Sequence, residues 1–334
     1  MVNKITDRKL RQIGSIDIFK FIMSLFVILL HVPPVLYDAS LSVYPSWLQM
    51  IFAFAVPYFF ISSGFLTARK MKSFDSDEEK DRYLRNRIIA VFKIFIIWTL
   101  IYIPLSMISL GDISVLEKIF ITAKEIITRG HPHLSWPLWY LYSLLLTLIF
   151  VYLLRRCRIG ILILLIFYLF TSFIVYLTEF SGNIWIQRIG FYFENPFGGG
   201  LPIIIGFITC DYPAYFKTYL SIIFLILLSI CLFYLEMPYF QVAGGLGLFA
   251  LSLRIKLSDR RKAMYNWART VSMWNYYIHM YILVLVQSLF SLLDFSLGLV
   301  AGCLICMCTV VFASNILYYL GNLPYLSRIK LLLR

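Results

Sequence analysis

Apolar residues run through this chain in ten long blocks, parted by short polar or basic connections. The blocks cover roughly residues 15–34, 47–68, 88–109, 136–154, 159–178, 196–212, 216–235, 238–254, 270–292 and 295–320. About 20 apolar residues wound as an α-helix cover the ~30 Å hydrocarbon core of a bilayer. In hydrocarbon, a helix or a closed barrel is the way a backbone satisfies its own polar groups. The pattern predicts an all-α integral membrane protein, a bundle of about ten transmembrane helices. The sixth and eighth blocks, short or glycine-rich, are the least regular.

Two connections exceed turn length. Residues 69–87 are charged, acidic from Asp75 to Asp81 and then basic. Acids complement a helix N-terminus, so a helix is expected to begin near Ser76. Within 110–135, Val115, Ile119, Ile126 and Ile127 recur at helical spacing with charges between them. That spacing predicts an amphipathic helix lying on the outer membrane surface. His131 and His133 follow it, and two histidines without a third ligand make a poor zinc site. There is no internal repeat of the kind an inverted-repeat transporter carries, and residues 1–334 read as one domain.

Of the 334 residues, 61% are hydrophobic and 14% charged, against about 25% charged in a soluble domain. A soluble globular fold is thereby excluded. The net charge of +13 would suit a nucleic-acid partner, but the basic residues are concentrated in alternate connections. With the N-terminus inside, most of the 30 Lys and Arg are cytoplasmic, as the positive-inside rule requires. Both termini are expected in the cytoplasm, and nucleic acid is excluded as a partner. Aromatics, at 18%, gather near block ends as interfacial belts do. Met1 to Gln12 is polar and basic and lacks a small-residue cleavage site, so the first block reads as a retained span. The six cysteines show no metal spacing or disulfide framework. Cys303, Cys306 and Cys308 read as small packing residues.

Lys20 and His31 interrupt the first block. Ionisable residues inside a membrane are costly and point to function. On a helix this pair is about 16 Å apart, half the bilayer core, with Lys20 toward the cytoplasm and His31 toward the outside. An imidazole suits general acid–base work near neutral pH. Pro33 and Pro34 are expected to end the helix just after it. Lys20 is a candidate anion ligand, although Asp17, one turn away, is placed to pair with it. Arg82 and Arg85 share one helix face and suit a polyanion. Ser62 and Ser63 lie among aromatics and permit close helix packing. Trp139 and Tyr140 open the fourth block. Glu194 is the best-placed carboxylate to orient an outer imidazole, and His279 lies within the ninth block.

Taken in order, these segments resemble the acyltransferase-3 family of bacterial membrane proteins. Lys20 to His31 resembles the family's basic-residue, ten-residue, histidine spacing, with lysine where arginine is more usual. Phe59-Phe60-Ile61-Ser62-Ser63-Gly64-Phe65 resembles the end of its second span. Arg82-x-x-Arg85 resembles its arginine pair, Leu138-Trp139-Tyr140-Leu141 its tryptophan motif, and Tyr277-Ile278-His279 its late tyrosine–histidine segment. The resemblance implies a multi-pass enzyme of the bacterial inner (plasma) membrane. It would move an acyl group, usually acetyl, from cytoplasmic acyl-coenzyme A to a hydroxyl of an envelope glycan or lipid-linked sugar, without a metal. Lys20, Arg82 and Arg85 would hold the coenzyme's phosphates, and His31 would be the base or the acylated nucleophile. Lysine lacks arginine's bidentate fork. The chain is also similar to the membrane half of the vancomycin-resistance serine racemases, which implies the alternative of serine transport. Whether one copy or a homodimer acts is left open.

Overall fold

The computed structural model describes residues 12–38, 40–179, 196–237, 239–294 and 297–323. Among them there is no strand. The helices are α1 (Gly14–Leu36), α2 (Ser46–Ala53), α3 (Ala55–Met71), α4 (Asp77–Ser109), α5 (Val115–Arg129), α6 (Trp139–Leu154), α7 (Gly160–Glu179), α8 (Gly200–Asp211), α9 (Tyr219–Tyr234), α10 (Phe240–Arg254), α11 (Lys262–Leu292) and α12 (Leu299–Asn322). Among the described residues, seven segments are long and apolar enough to cross a membrane: α1, the α2–α3 pair, α4, the segment 136–154 ending in α6, α7, α11 and α12. Helices α8, α9 and α10 are apolar but only 10–17 residues long. Helix length alone therefore supports seven crossings where the apolar blocks suggested ten.

Two local expectations match the helix ends. Ser76 caps α4, its side chain accepting from the Glu79 N–H at 3.2 Å, with Asp77, Glu78 and Glu79 in the first turn. The segment 110–135 contains α5, capped by Ser114 and ended by Gly130 at φ 76°. Val115, Leu116, Ile119, Phe120 and Ile127 are exposed on α5, so its apolar stripe is turned away from the protein, as on a membrane-surface helix.

The proline pair behaves otherwise than expected. Helix α1 continues through Pro33 and Pro34 to Leu36. Pro33 cannot donate to the Leu29 carbonyl, a loss that ordinarily breaks or kinks a helix. The Tyr44 hydroxyl donates to that carbonyl instead, at 2.9 Å, so the orphaned acceptor is satisfied from outside the helix.

Small residues set the closest helix contact. A Cβ on Gly64 of α3 would lie 2.0 Å from the Ile203 carbonyl oxygen of α8, and one on Gly206 of α8 would lie 2.2 Å from that of Ile61. The two glycines interlock reciprocally, which lets the backbones touch. Polar ties gather several connections at one end of the bundle, called here the basic end. Lys72 meets Asp211 at 2.6 Å, Asp81 takes Arg155 and Arg156, and Arg254 donates to the Lys217 carbonyl at 3.0 Å. Of the α12 cysteines, Cys306 is buried as expected of a packing residue, whereas Cys308 is exposed.

Candidate active site

Helices α1 and α11 run parallel and are joined by polar contacts at three levels. Nearest the basic end, Arg269 grips Asp17 through one guanidinium edge, Nε and Nη2 donating at 2.9 Å to one carboxylate oxygen each, and Gln12 adds a bond of 2.6 Å. In the middle, the Asn275 amide donates to Ser24 at 3.0 Å. Farthest along, His31 meets His279, ring centroids 5.1 Å apart and planes at 82°. Asp17, Ser24 and His31 recur every seven residues, so one stripe of α1 carries all three.

The first level opens into a cavity of about 470 Å³, lined by Lys20, Arg69, Arg87 and Arg269 among its charged groups. Asp17 also lines it but is committed to Arg269 rather than to Lys20, the partner that spacing alone suggested. Lys20 and His31 differ by about 20° around the helix axis, so both face the α11 side of α1. Arg82 and Arg85 are exposed and do not line this cavity; Arg87, five residues beyond Arg82, does. The inward stripe of α4 explains this. Leu84, Val91, Ile94 and Trp98 are buried, and position 87 falls on that stripe while 82 and 85 fall beside it.

Phe59, Tyr140 and Tyr276 close the cavity toward the histidines. Tyr140 and Tyr276 are 5.5 Å apart, and Phe59 lies 6.5 Å from Tyr140 and 6.4 Å from Tyr276. Ser63 shares a hydrogen bond of 2.6 Å with the Tyr140 hydroxyl, and Tyr276 donates to the Pro137 carbonyl. The Tyr276 ring is 6.4 Å from that of His279, so a single aromatic layer separates cavity and histidines.

Above that layer, the Trp136 ring lies 5.8 Å from His31. His279 Nδ1 is 2.9 Å from the Asn275 carbonyl. Because a carbonyl only accepts, this contact places the proton on Nδ1 and leaves a lone pair on Nε2. Among the described residues, His279 Nε2, His31 Nδ1 and Asn275 Oδ1 are buried without a hydrogen-bond partner. Buried polar atoms are ordinarily satisfied, and these three lie together on the α1–α11 seam.

The other sequence-selected residues divide. Ser63 and Tyr140 line the cavity. Ser62 is buried and donates to the Phe59 carbonyl of its own helix at 2.9 Å. Trp139 packs on Phe60 at 5.3 Å and lines a separate cavity of about 460 Å³ with Tyr176, Tyr239 and Gln241. Glu194 lies outside the described residues. Trp136, Tyr276, Asn275, Arg69, Arg87 and Arg269 were not selected from sequence. Arg87 and Arg269 were the findable ones, as charges on otherwise buried stripes.

The last turn of α5 and the loop after it hold a charge cluster of their own. Glu125 pairs with Arg129 at 3.0 Å, and His133 lies 3.8 Å from it. Burial works to raise the Glu125 pKa, but His133 and Arg129 outweigh it and the carboxyl titrates below its usual range. Burial pushes the His131 imidazole down. Among the described residues no group of three or more His, Cys, Asp or Glu is arranged to hold a metal.

A family model described as an acyltransferase domain matches residues 13–319. No curated protein and no solved structure matches the chain.

Proposed function

The chain belongs to the acyltransferase-3 family, and from that premise we propose that it transfers an acyl group, acetyl in the simplest case, from cytoplasmic acyl-coenzyme A to a hydroxyl of an envelope glycan or lipid-linked sugar. In this reading it sits in the bacterial inner membrane with ten crossings, three of them made by the short helices α8 to α10. Both chain ends and the basic end of the bundle face the cytoplasm.

One observation carries the reading: a cation-lined cavity and a histidine pair, His279 buried and His31 half-buried, lie on the same side of α1, separated by one aromatic layer. Lys20, Arg87 and Arg269 hold the donor's phosphates, for which charge-assisted bonds are the strong kind. Arg82 and Arg85, exposed nearer the start of α4, extend the positive field that draws the donor in. The pantetheine arm displaces Phe59, Tyr140 and Tyr276 to bring the thioester to His31. An imidazole nitrogen of His31 takes the acceptor's hydroxyl proton as that oxygen attacks the thioester carbonyl. The C–S bond then breaks, and the proton passes to the departing sulfur, giving the ester and free thiol. In the variant, His31 itself is acylated first and the acceptor oxygen attacks the acyl-imidazole.

Labelled acetyl-coenzyme A offered to the purified protein tests this. The wild type releases or transfers label, and His31→Ala abolishes both while its helical circular dichroism is unchanged. A wild type that neither binds nor consumes acyl-coenzyme A, while vesicles carrying it take up serine, makes the protein a transporter.

A further inference from the structure

A third cavity, of about 550 Å³, lies at the basic end between α3, α6, α7 and α8. It shares no lining residue with the Lys20 cavity, and α3 stands between the two. Its size is that of a small-molecule site. Its floor is apolar, made by Met71, Leu154, Ile161, Leu164 and Phe207. Its rim carries Lys72, Lys80, Arg155, Arg156 and Arg158, with the Asp211 carboxylate among them.

The rim charges are only partly met from within. Lys72 has Asp211, Lys80 has Asp77, and Arg155 has Asp81. Arg156 must share Asp81 with Arg155, reaching it at 3.1 Å with its own side chain 73% exposed. Among the described residues Arg158 is exposed and has no carboxylate. Among the described ion pairs, Arg156 and Arg158 thus have no carboxylate to themselves. The α6–α7 turn fixes these arginines in place. A Cβ on Gly160 would lie 2.3 Å from the Leu154 carbonyl oxygen, so the tight turn depends on glycine there. Around the cavity, Leu162, Ile163 and Ile166 of α7 are exposed on a helix long and apolar enough to cross the membrane.

We propose that this cavity binds an anionic phospholipid, with the phosphate among Arg156, Arg158 and Lys72 and an acyl chain on the Leu154, Leu164 and Phe207 floor. Basic pockets between transmembrane helices hold acidic headgroups by this complementarity. A water-soluble phosphate compound would satisfy the rim and leave the floor bare, whereas a lipid meets both. The inference stands on this cavity alone and is independent of the acyl-transfer reading.

Binding of fluorescent phosphatidylglycerol and phosphatidylcholine to the full-length protein, in a zwitterionic detergent, tests it. Phosphatidylglycerol is expected to bind at least tenfold tighter than phosphatidylcholine. Arg156→Gln combined with Arg158→Gln is expected to erase that preference, and coenzyme A is expected not to displace the lipid. Should the double variant fold poorly, judged by its melting temperature, Leu164→Trp supplies the second arm by filling the floor, and it too is expected to weaken phosphatidylglycerol. Equal binding of the two lipids, full affinity in a well-folded double variant, or displacement by coenzyme A overturns the proposal. The last result would assign the cavity to the nucleotide of the donor.

Discussion

His279 presents its ring edge-on to His31, 5.1 Å between centroids, with its Nδ1 tied to the Asn275 carbonyl and its Nε2 unpartnered. The pair puts the His279 ring next to the imidazole proposed as the base. His279→Gln is expected to lower kcat about 100-fold or more, the scale of a lost acid–base group, while leaving KM for acyl-coenzyme A near its wild-type value. Steady-state kinetics check this, and a shift in KM alone would relegate His279 to packing.

Arg87 and the pair Arg82, Arg85 are separable by kinetics. Arg87 lines the cavity, whereas Arg82 and Arg85 face outward. Arg87→Ala is expected to raise KM for acyl-coenzyme A by roughly 10- to 100-fold, the value of a hydrogen bond to a charged group. Arg82→Ala and Arg85→Ala are expected to change it by less than about threefold, as screened surface charges do, and that small effect should vanish in high salt.

The interlocked glycines set the stability of the α3–α8 seam. An alanine at Gly64 would place its Cβ 2.0 Å from a backbone oxygen that no rotamer can move. Gly64→Ala and Gly206→Ala are each expected to cost about 1–3 kcal/mol, the scale of overpacking. Thermal unfolding in detergent checks this. Gly111→Ala provides the contrast, with φ +68° but nothing within 4 Å of a Cβ, and should cost less.

Acid is expected to loosen the segment from α5 to Trp136. Buried His131 has a folded pKa below its ordinary 6.5, so the unfolded segment binds more protons and stability falls as pH drops below 6.5. Glu125, also depressed below its ordinary 4.5, contributes stability that is present above 4.5 and lost as pH falls through its lower folded pKa. Amide protection factors across 115–138, corrected for the intrinsic pH dependence of exchange, should therefore fall between pH 7.5 and 5.5 in the wild type. In His131→Gln that change should largely disappear.

Much of this was legible in the sequence because hydrocarbon leaves a chain few choices. Apolar blocks declared the helices, Ser76 and its acids declared the start of α4, and Lys20 and His31 declared themselves by being out of place. The α3 motif announced close packing, though not that Gly206 of α8 was its partner, because contact between distant blocks leaves no periodic trace. Pairing was misjudged where neighbours in sequence outcompeted distant ones. Proximity makes Lys20 a possible partner for Asp17, and the bidentate geometry of Arg269 claims it. The proline pair misled because the rescue of the Leu29 carbonyl by Tyr44 is a tertiary event. Arg82 and Arg85 stood out by motif, whereas Arg87 needed the buried stripe of α4 to be traced residue by residue.

A structure of the protein with a thioether analogue of acetyl-coenzyme A tests the central claim most directly. The phosphates are expected among Lys20, Arg87 and Arg269, with Phe59, Tyr140 and Tyr276 parted and the acyl carbonyl carbon about 3.5 Å or less from an imidazole nitrogen of His31. An analogue bound at the Arg156 and Arg158 rim, or one whose sulfur stays on the basic side of an unmoved aromatic layer, would contradict it.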